Sequence, residues 1–228
     1  FSDEDSVWYI DDICVIPAGA VSFPVPPVNF EGYMYAICGQ MLLYWNESRG
    51  TFDCGYFFDR AVSTIEIFDG KMLVGSTVKD GSNNYKYFYI TVGGNPASTT
   101  ITVTAVTSST ASVAQAQFFV KARNASGDYA IAKVRSNKVA FISDPATGSP
   151  VWGAEIDVGK DDRDITNAFA ANDTLIIGKE DGMFVYDRNV NQFRDVSPEA
   201  GLFSGGNNFK RAIARAGRIY ATSGDRAF

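Results

Sequence analysis

The chain of 228 residues contains no histidine. That absence removes the commonest general base and the commonest metal ligand together. A serine or cysteine nucleophile would have no imidazole to activate it, and no Gly-x-Ser-x-Gly elbow is present. Cysteine is scarce: Cys14, Cys38 and Cys54 are the complete set. An odd count leaves at least one thiol unpaired, and no two stand in a Cys-x-x-Cys. Small buried hydrophobes are therefore expected rather than a redox pair or a zinc site. No apolar run approaches the roughly 18 residues that a membrane-crossing helix needs. No segment holds a sustained helical period between capping residues. A cationic excess is missing too: 20 basic residues face 26 acidic ones, a net charge of −6. A protein that grips a phosphate backbone needs clustered Lys and Arg. The densest basic run here, Lys210 to Arg218, reads as a solvated strand face, so no nucleic-acid partner is expected. No secretory leader is legible, and the start at Phe1 fits a processed form or part of something longer.

What is present is apolar and aromatic. Hydrophobic residues make up 46% and aromatics 14%, which excludes wholesale disorder and supplies a sizeable core. These residues come in short bursts. The clearest run, NDTLIIGKEDGMFVYDRNVNQFRDVSPEAG, covers Asn172 to Gly201: a turn, an apolar burst ending at Gly178, a second turn, and a second burst. The same grammar begins at Glu31, Asp69 and Ser126, and again at Ala216, where it stops partway. The turns centre on Gly32, Gly70, Gly127, Asp173 and Gly217, with spacings of 38, 57, 46 and 44 residues. Each copy has room for four short strands; in the clearest these are ITNAFAA, TLIIGK, GMFVYD and FRDVSP.

A repeat of this length with four strands predicts an all-β fold, a β-propeller of four-stranded antiparallel blades. About five blades are expected in this chain, as a closed five-bladed ring or part of a larger propeller. The blade-like units fall at about 28–60, 61–110, 115–160 and 164–203 of a single domain spanning 1–228. The segment 205–228 supplies inner strands, and 1–20 supplies outer strands to complete it, which would remove an exposed sheet edge. The first burst of each copy ends in a small residue: Ala36, Gly75, Ala132, Gly178 and Ala221. Blades converge on an axis, and a side chain without bulk lets neighbouring sheets approach there. The Ser/Thr-rich stretch Ala97 to Val113 is expected to be an outer strand plus a flexible loop. FPVPPV, from Phe23, reads as an extended connector.

The residues Gly178, Asp181, Gly182, Tyr186, Asp187 and Phe193 resemble the two-component-regulator propeller repeat: apolar strand, Gly, Gly-containing turn, aromatic-Asp strand, then a loop to Phe. The likeness covers one repeat well and implies blade architecture. Such repeats occur in sensor ectodomains, sugar-active enzymes, lectins and viral tail proteins, so function has to be argued from the site.

Candidate chemistry is sparse. Five-bladed glycoside hydrolases resembling this architecture use acids in the axial funnel, and Asp11, Asp12, Asp69, Asp128 and Asp173 are the acids placed to contribute. Asp69, Asp128 and Asp173 also precede apolar strands, where Asp shapes turns. The oxygen-rich loops Lys79 to Asn84 and Gly159 to Asp164 lack the spacing of a calcium loop, so no metal and no cofactor are expected. Aromatics concentrate at Tyr44 and Trp45 and at Tyr85, Tyr87 and Tyr89. Strand alternation sets the last three on one face and Lys86, Phe88 and Ile90 on the other. Those five residues read either as inter-blade core or as a patch for a surface glycan or a protein. The expected role is non-catalytic: a structural or recognition module that meets other protein subunits of a larger assembly. A virion tail or surface component, or another extracellular scaffold, is the expected setting. A carbohydrate-active enzyme using funnel carboxylates and a ligand-sensing ectodomain are the alternatives.

Overall fold

The computed structural model describes residues 26–161, 165–179 and 182–196, together with the backbone of six short strands nearer the two ends. The first of those pairs is β1 (Trp8–Ile10) with β2 (Ile13–Val15). Four complete sheets follow. Blade one holds β3 (Val28–Phe30), β4 (Tyr33–Cys38), β5 (Met41–Asn46) and β6 (Thr51–Phe57). Blade two holds β7 (Thr64–Phe68), β8 (Lys71–Gly75), β9 (Tyr85–Val92) and β10 (Ile101–Ser108). One helical turn, α1 (Ala111–Ala114), leads into blade three, which holds β11 (Phe118–Arg123), β12 (Tyr129–Arg135), β13 (Lys138–Ile142) and β14 (Ile156–Asp157). Blade four holds β15 (Ile165–Ala171), β16 (Thr174–Lys179), β17 (Gly182–Asp187) and β18 (Gln192–Asp195). The last pairs are β19 (Ile213–Arg215) with β20 (Arg218–Tyr220), and β21 (Thr222–Ser223) with β22 (Arg226–Ala227).

Every blade is a four-stranded antiparallel meander in chain order. The first strands are innermost: β3 meets β7, β7 meets β11, β11 meets β15, and β15 meets β19. At the other end of the series, β2 lies beside β6. The chain is thus a β-propeller of four-stranded blades, four of them complete. The closing unit expected from 205–228 and 1–20 falls largely outside the described residues, as do Ala221, Asp11, Asp12 and Asp181.

The hairpins explain the local folding. Three blades join their first two strands through two-residue loops, Glu31-Gly32, Asp69-Gly70 and Asn172-Asp173, in which both residues have positive φ. That is the twist-matched turn for adjacent antiparallel strands, and it selects Gly, Asn and Asp. The Ser/Thr-rich stretch differs from its expectation. It forms an eight-residue strand and then α1, whose Ala114 is buried beneath blades two and three.

Three apolar layers fill the gaps between blades. Tyr35, Ile37 and Leu42 of blade one meet Met72, Val74, Phe88 and Ile90 of blade two. Leu73 and Tyr87 of blade two meet Phe119 and Ile131 of blade three. Val120, Ala132 and Val134 meet Leu175, Ile177 and Phe184 of blade four. Each of these large side chains contributes about 1.5–3 kcal/mol by leaving water. Polar groups stitch the inner edges across the same gaps. Phe119 N–H donates to Thr64 Oγ1 at 3.0 Å, Lys121 N–H to Glu66 Oε2 at 3.1 Å, and Arg123 N–H to the Asp173 carbonyl at 2.9 Å.

Candidate functional site

The small residues sit on the second strand of each blade, but not all on one face. Gly75 and Ala132 lie five residues after the turn and face the following blade; Gly178 sits at the same offset. Ala36 lies four residues after its turn. Because side chains alternate, it faces away from blade two and joins Cys38, Met41 and Leu43 in a separate cluster. Only at Gly75 is space exhausted: an added Cβ would stand 2.6 Å from Thr64 Cγ2 and 2.8 Å from Ala116 Cβ.

The residue after the small one carries more chemistry. Lys133 follows Ala132, Lys179 follows Gly178, and Ser76 follows Gly75. All three are buried, and all three tie down chain segments that enter or leave a blade. Ser76 donates to the Ala61 carbonyl at 2.7 Å. Lys179 Nζ donates to Asn137 Oδ1 at 2.5 Å, to the Val158 carbonyl at 2.7 Å and to the Lys160 carbonyl. Lys133 Nζ donates to the carbonyls of Val113, at 2.9 Å, and Ser112, and stands 4.1 Å from the centre of the Trp152 ring. Arg60 reverses the direction in blade two: from the connector it donates to the carbonyls of Val78 and Asn84.

Lys133 borders a cavity of about 470 Å³ lined by Ser112, Val113, Pro150, Trp152 and Glu155. Trp152 stacks on Phe119, with ring centres 6.3 Å apart, and its buried indole N–H has no hydrogen-bond partner. At the rim, Arg135 grips Glu155 through two bonds of 2.6 and 2.5 Å. Burial pushes Lys133 down to about 7; Glu155 pulls it up and Arg135 pushes it further down. The amine is spent on two carbonyls and an aromatic face, an arrangement that clamps the blade-two connector.

A second cluster lies at the hairpin ends of blades three and four. Tyr129, 43% exposed, has Arg123 at 4.2 Å and Lys121 at 5.0 Å from its ring centre. Its hydroxyl donates to Asp173 Oδ2 at 2.7 Å, and Arg123 Nε donates to the same oxygen at 3.3 Å. The Tyr129 hydroxyl, with Arg123, holds the Asp173 carboxyl below the usual range. A general acid needs the opposite shift. Asp69 is an exposed turn residue with φ of 46°.

The aromatic candidates are divided among three environments. Tyr44 is buried between blades one and two, with its hydroxyl 3.4 Å from Asp53. Trp45 lies edge-on to Phe52 at the outer end of its hairpin. Tyr87 is fully buried and donates to the Pro145 carbonyl at 2.6 Å. Tyr85 and Tyr89 flank it, half-buried on the blade-three side, and Lys79 stands over the Tyr85 ring. In the Lys79 to Asn84 loop, Asp80 accepts from the Ser82 and Asn84 amides and faces Arg60 and Lys86. Among the described residues no three His, Cys, Asp or Glu side chains gather as a metal site.

No family model matches the chain, the two-component-regulator repeat included, and no curated protein matches it. Solved structures do match. Hsv2 of Kluyveromyces lactis is 10% identical with a TM-score of 0.48, over 86% of this chain and 62% of that one. Hsv2 of Kluyveromyces marxianus is 12% identical with a TM-score of 0.40, over 72% and 50%. A quinoprotein alcohol dehydrogenase-like protein of Bacteroides thetaiotaomicron is 14% identical with a TM-score of 0.43, over 83% and 46%. The chain spans roughly half to three-fifths of the length of these structures. The propeller architecture itself is carried by the strand order of this chain.

Proposed function

We propose that the chain is a non-catalytic recognition and structural module of a larger assembly, of the kind found in virion tails and extracellular scaffolds. The observation that carries this reading is where the charged groups at the two clusters are spent. Asp173 is held by Tyr129 and Arg123, Lys133 by two carbonyls, and Glu155 by a two-pronged Arg135. None is left poised for proton transfer, whereas the exposed Tyr129 ring between Arg123 and Lys121 offers an aromatic and cationic contact for a protein or an acidic glycan.

The test is a paired screen of turnover and binding on polysaccharides and aryl glycosides, with Asp173→Asn and Tyr129→Ala beside the parent. Binding without turnover, weakened by Tyr129→Ala, is the expected result. Glycan cleavage that disappears in Asp173→Asn would overturn the reading in favour of a carbohydrate-active enzyme.

A further inference from the structure

The outer edges of the four blades are unlike one another. β14 has two residues. β18 has four and carries Arg194 and Asp195. β6 carries Asp53, breaks register against β5 and has β2 beside it. Shortness, charge and irregularity are the devices by which natural sheets protect an edge. β10 uses none of them. It pairs with β9 residue for residue from Ile101 to Ser108, and its sequence, ITVTAVTS, has no charge, proline or glycine. Six of its eight residues are β-branched, the composition that favours extended pairing. Thr102, Thr104, Ala105 and Thr107 are exposed. Among the described residues, no backbone hydrogen bond reaches this strand from outside its own sheet. The chain ends lie at other blades, β2 by β6 and β19 by β15.

We propose that the β10 edge joins two copies of this chain, the strands pairing antiparallel about a two-fold axis so that two blades become one continuous sheet. The proposal rests on the assembly-module reading above and names the surface and one partner. A second copy is the occupant because of charge. With a net charge of −6, copies repel at most surfaces. A strand bearing a fixed charge would also bring like charges together across the axis, as β18 would; no register of β10 against itself does so. A two-fold centred on Thr104 sets Thr102 against Val106 and Val103 against Ala105, each pair on one face of the sheet.

Sedimentation velocity from micromolar to near-millimolar protein decides it, read beside hydrogen exchange of the Ile101–Ser108 amides at the same concentrations. The parent is expected to dimerise, with alternate amides of this strand gaining protection as concentration rises. Thr102→Lys and Thr104→Lys should weaken the dimer about ten-fold or more, while Gln192→Lys on β18 leaves it unchanged. A parent monomeric throughout, or a dimer whose β10 amides stay unprotected, overturns the proposal even where a lysine variant fails to fold. A chain monomeric alone that still enters a complex with a different polypeptide sinks the self-pairing and leaves the module reading standing. A monomer that cleaves glycan sinks both.

Discussion

Lys133 and Lys179 hold the same place in successive blades, yet their surroundings differ. Lys179 is enclosed by an amide oxygen and two carbonyls. Lys133 has two carbonyls, an indole face and a cavity. One repeat position therefore produces a closed polar knot between blades three and four and a more open clamp between blades two and three. The repeat fixes where the ammonium reaches; the neighbouring connector decides what it finds there.

The sharpest way to break this comparison is to replace both lysines by Met. Lys179→Met strands three buried acceptors and should cost about 3 kcal/mol in urea unfolding. Lys133→Met strands two and also removes a buried ammonium, so it should cost less, about 1 kcal/mol near neutral pH. Equal losses would erase the distinction.

Next in size is the pair of glycines that precede the lysine and serine positions. Gly75→Ala drives a methyl into Thr64 and Ala116 and should cost about 2 kcal/mol. Gly178→Ala meets nothing nearer than 3.4 Å and should stay within about 0.5 kcal/mol. Thermal unfolding of the two variants side by side measures the difference.

The pH dependence sharpens the contrast from another direction. Folding depresses Lys133 to about 7, against about 10.4 for an unfolded lysine. Between those values the unfolded chain binds more protons, so this group makes the protein more stable as pH rises through the window. Its burial cost is fully present below about pH 7. The parent should gain stability between pH 6 and pH 9, as set by that shift, and Lys133→Met should lose that gain. A slope unchanged in the variant would place the titration elsewhere. The smallest effect is expected from Trp152→Phe. It removes an indole N–H that has no partner and keeps an aromatic face for the ammonium, so stability should move by less than about 1 kcal/mol.

Much of this architecture was legible in the sequence because its causes are local. Two-residue loops with positive φ select Gly, Asp and Asn, so the hairpins at Gly32, Gly70 and Asp173 declared themselves. The predicted strands of the fourth blade, ITNAFAA through FRDVSP, lie within a few residues of β15 to β18. Alternation along YKYFYI did sort Tyr87 from Phe88 into different inter-blade layers. Ala36 went astray by one position, and in a strand one position is a change of face. Lys133 and Lys179 were missed although the signal was there, a lysine directly after the small residue in two copies. Nothing in composition distinguishes an ammonium in a core from one in water.

The sequence by itself therefore determined the repeat, the strands and the turns, since these follow from neighbours a few residues apart. Tertiary structure alone decided which face each small residue meets, that Asp173 is held by Tyr129, and that Lys133 sits under Trp152. It also left β10 as the unprotected edge among the described blades. Each of these depends on groups brought together from different strands and connectors, such as Thr64 and Phe119, 55 residues apart. The geometry of convergence around the axis, not any local preference, brings them within reach.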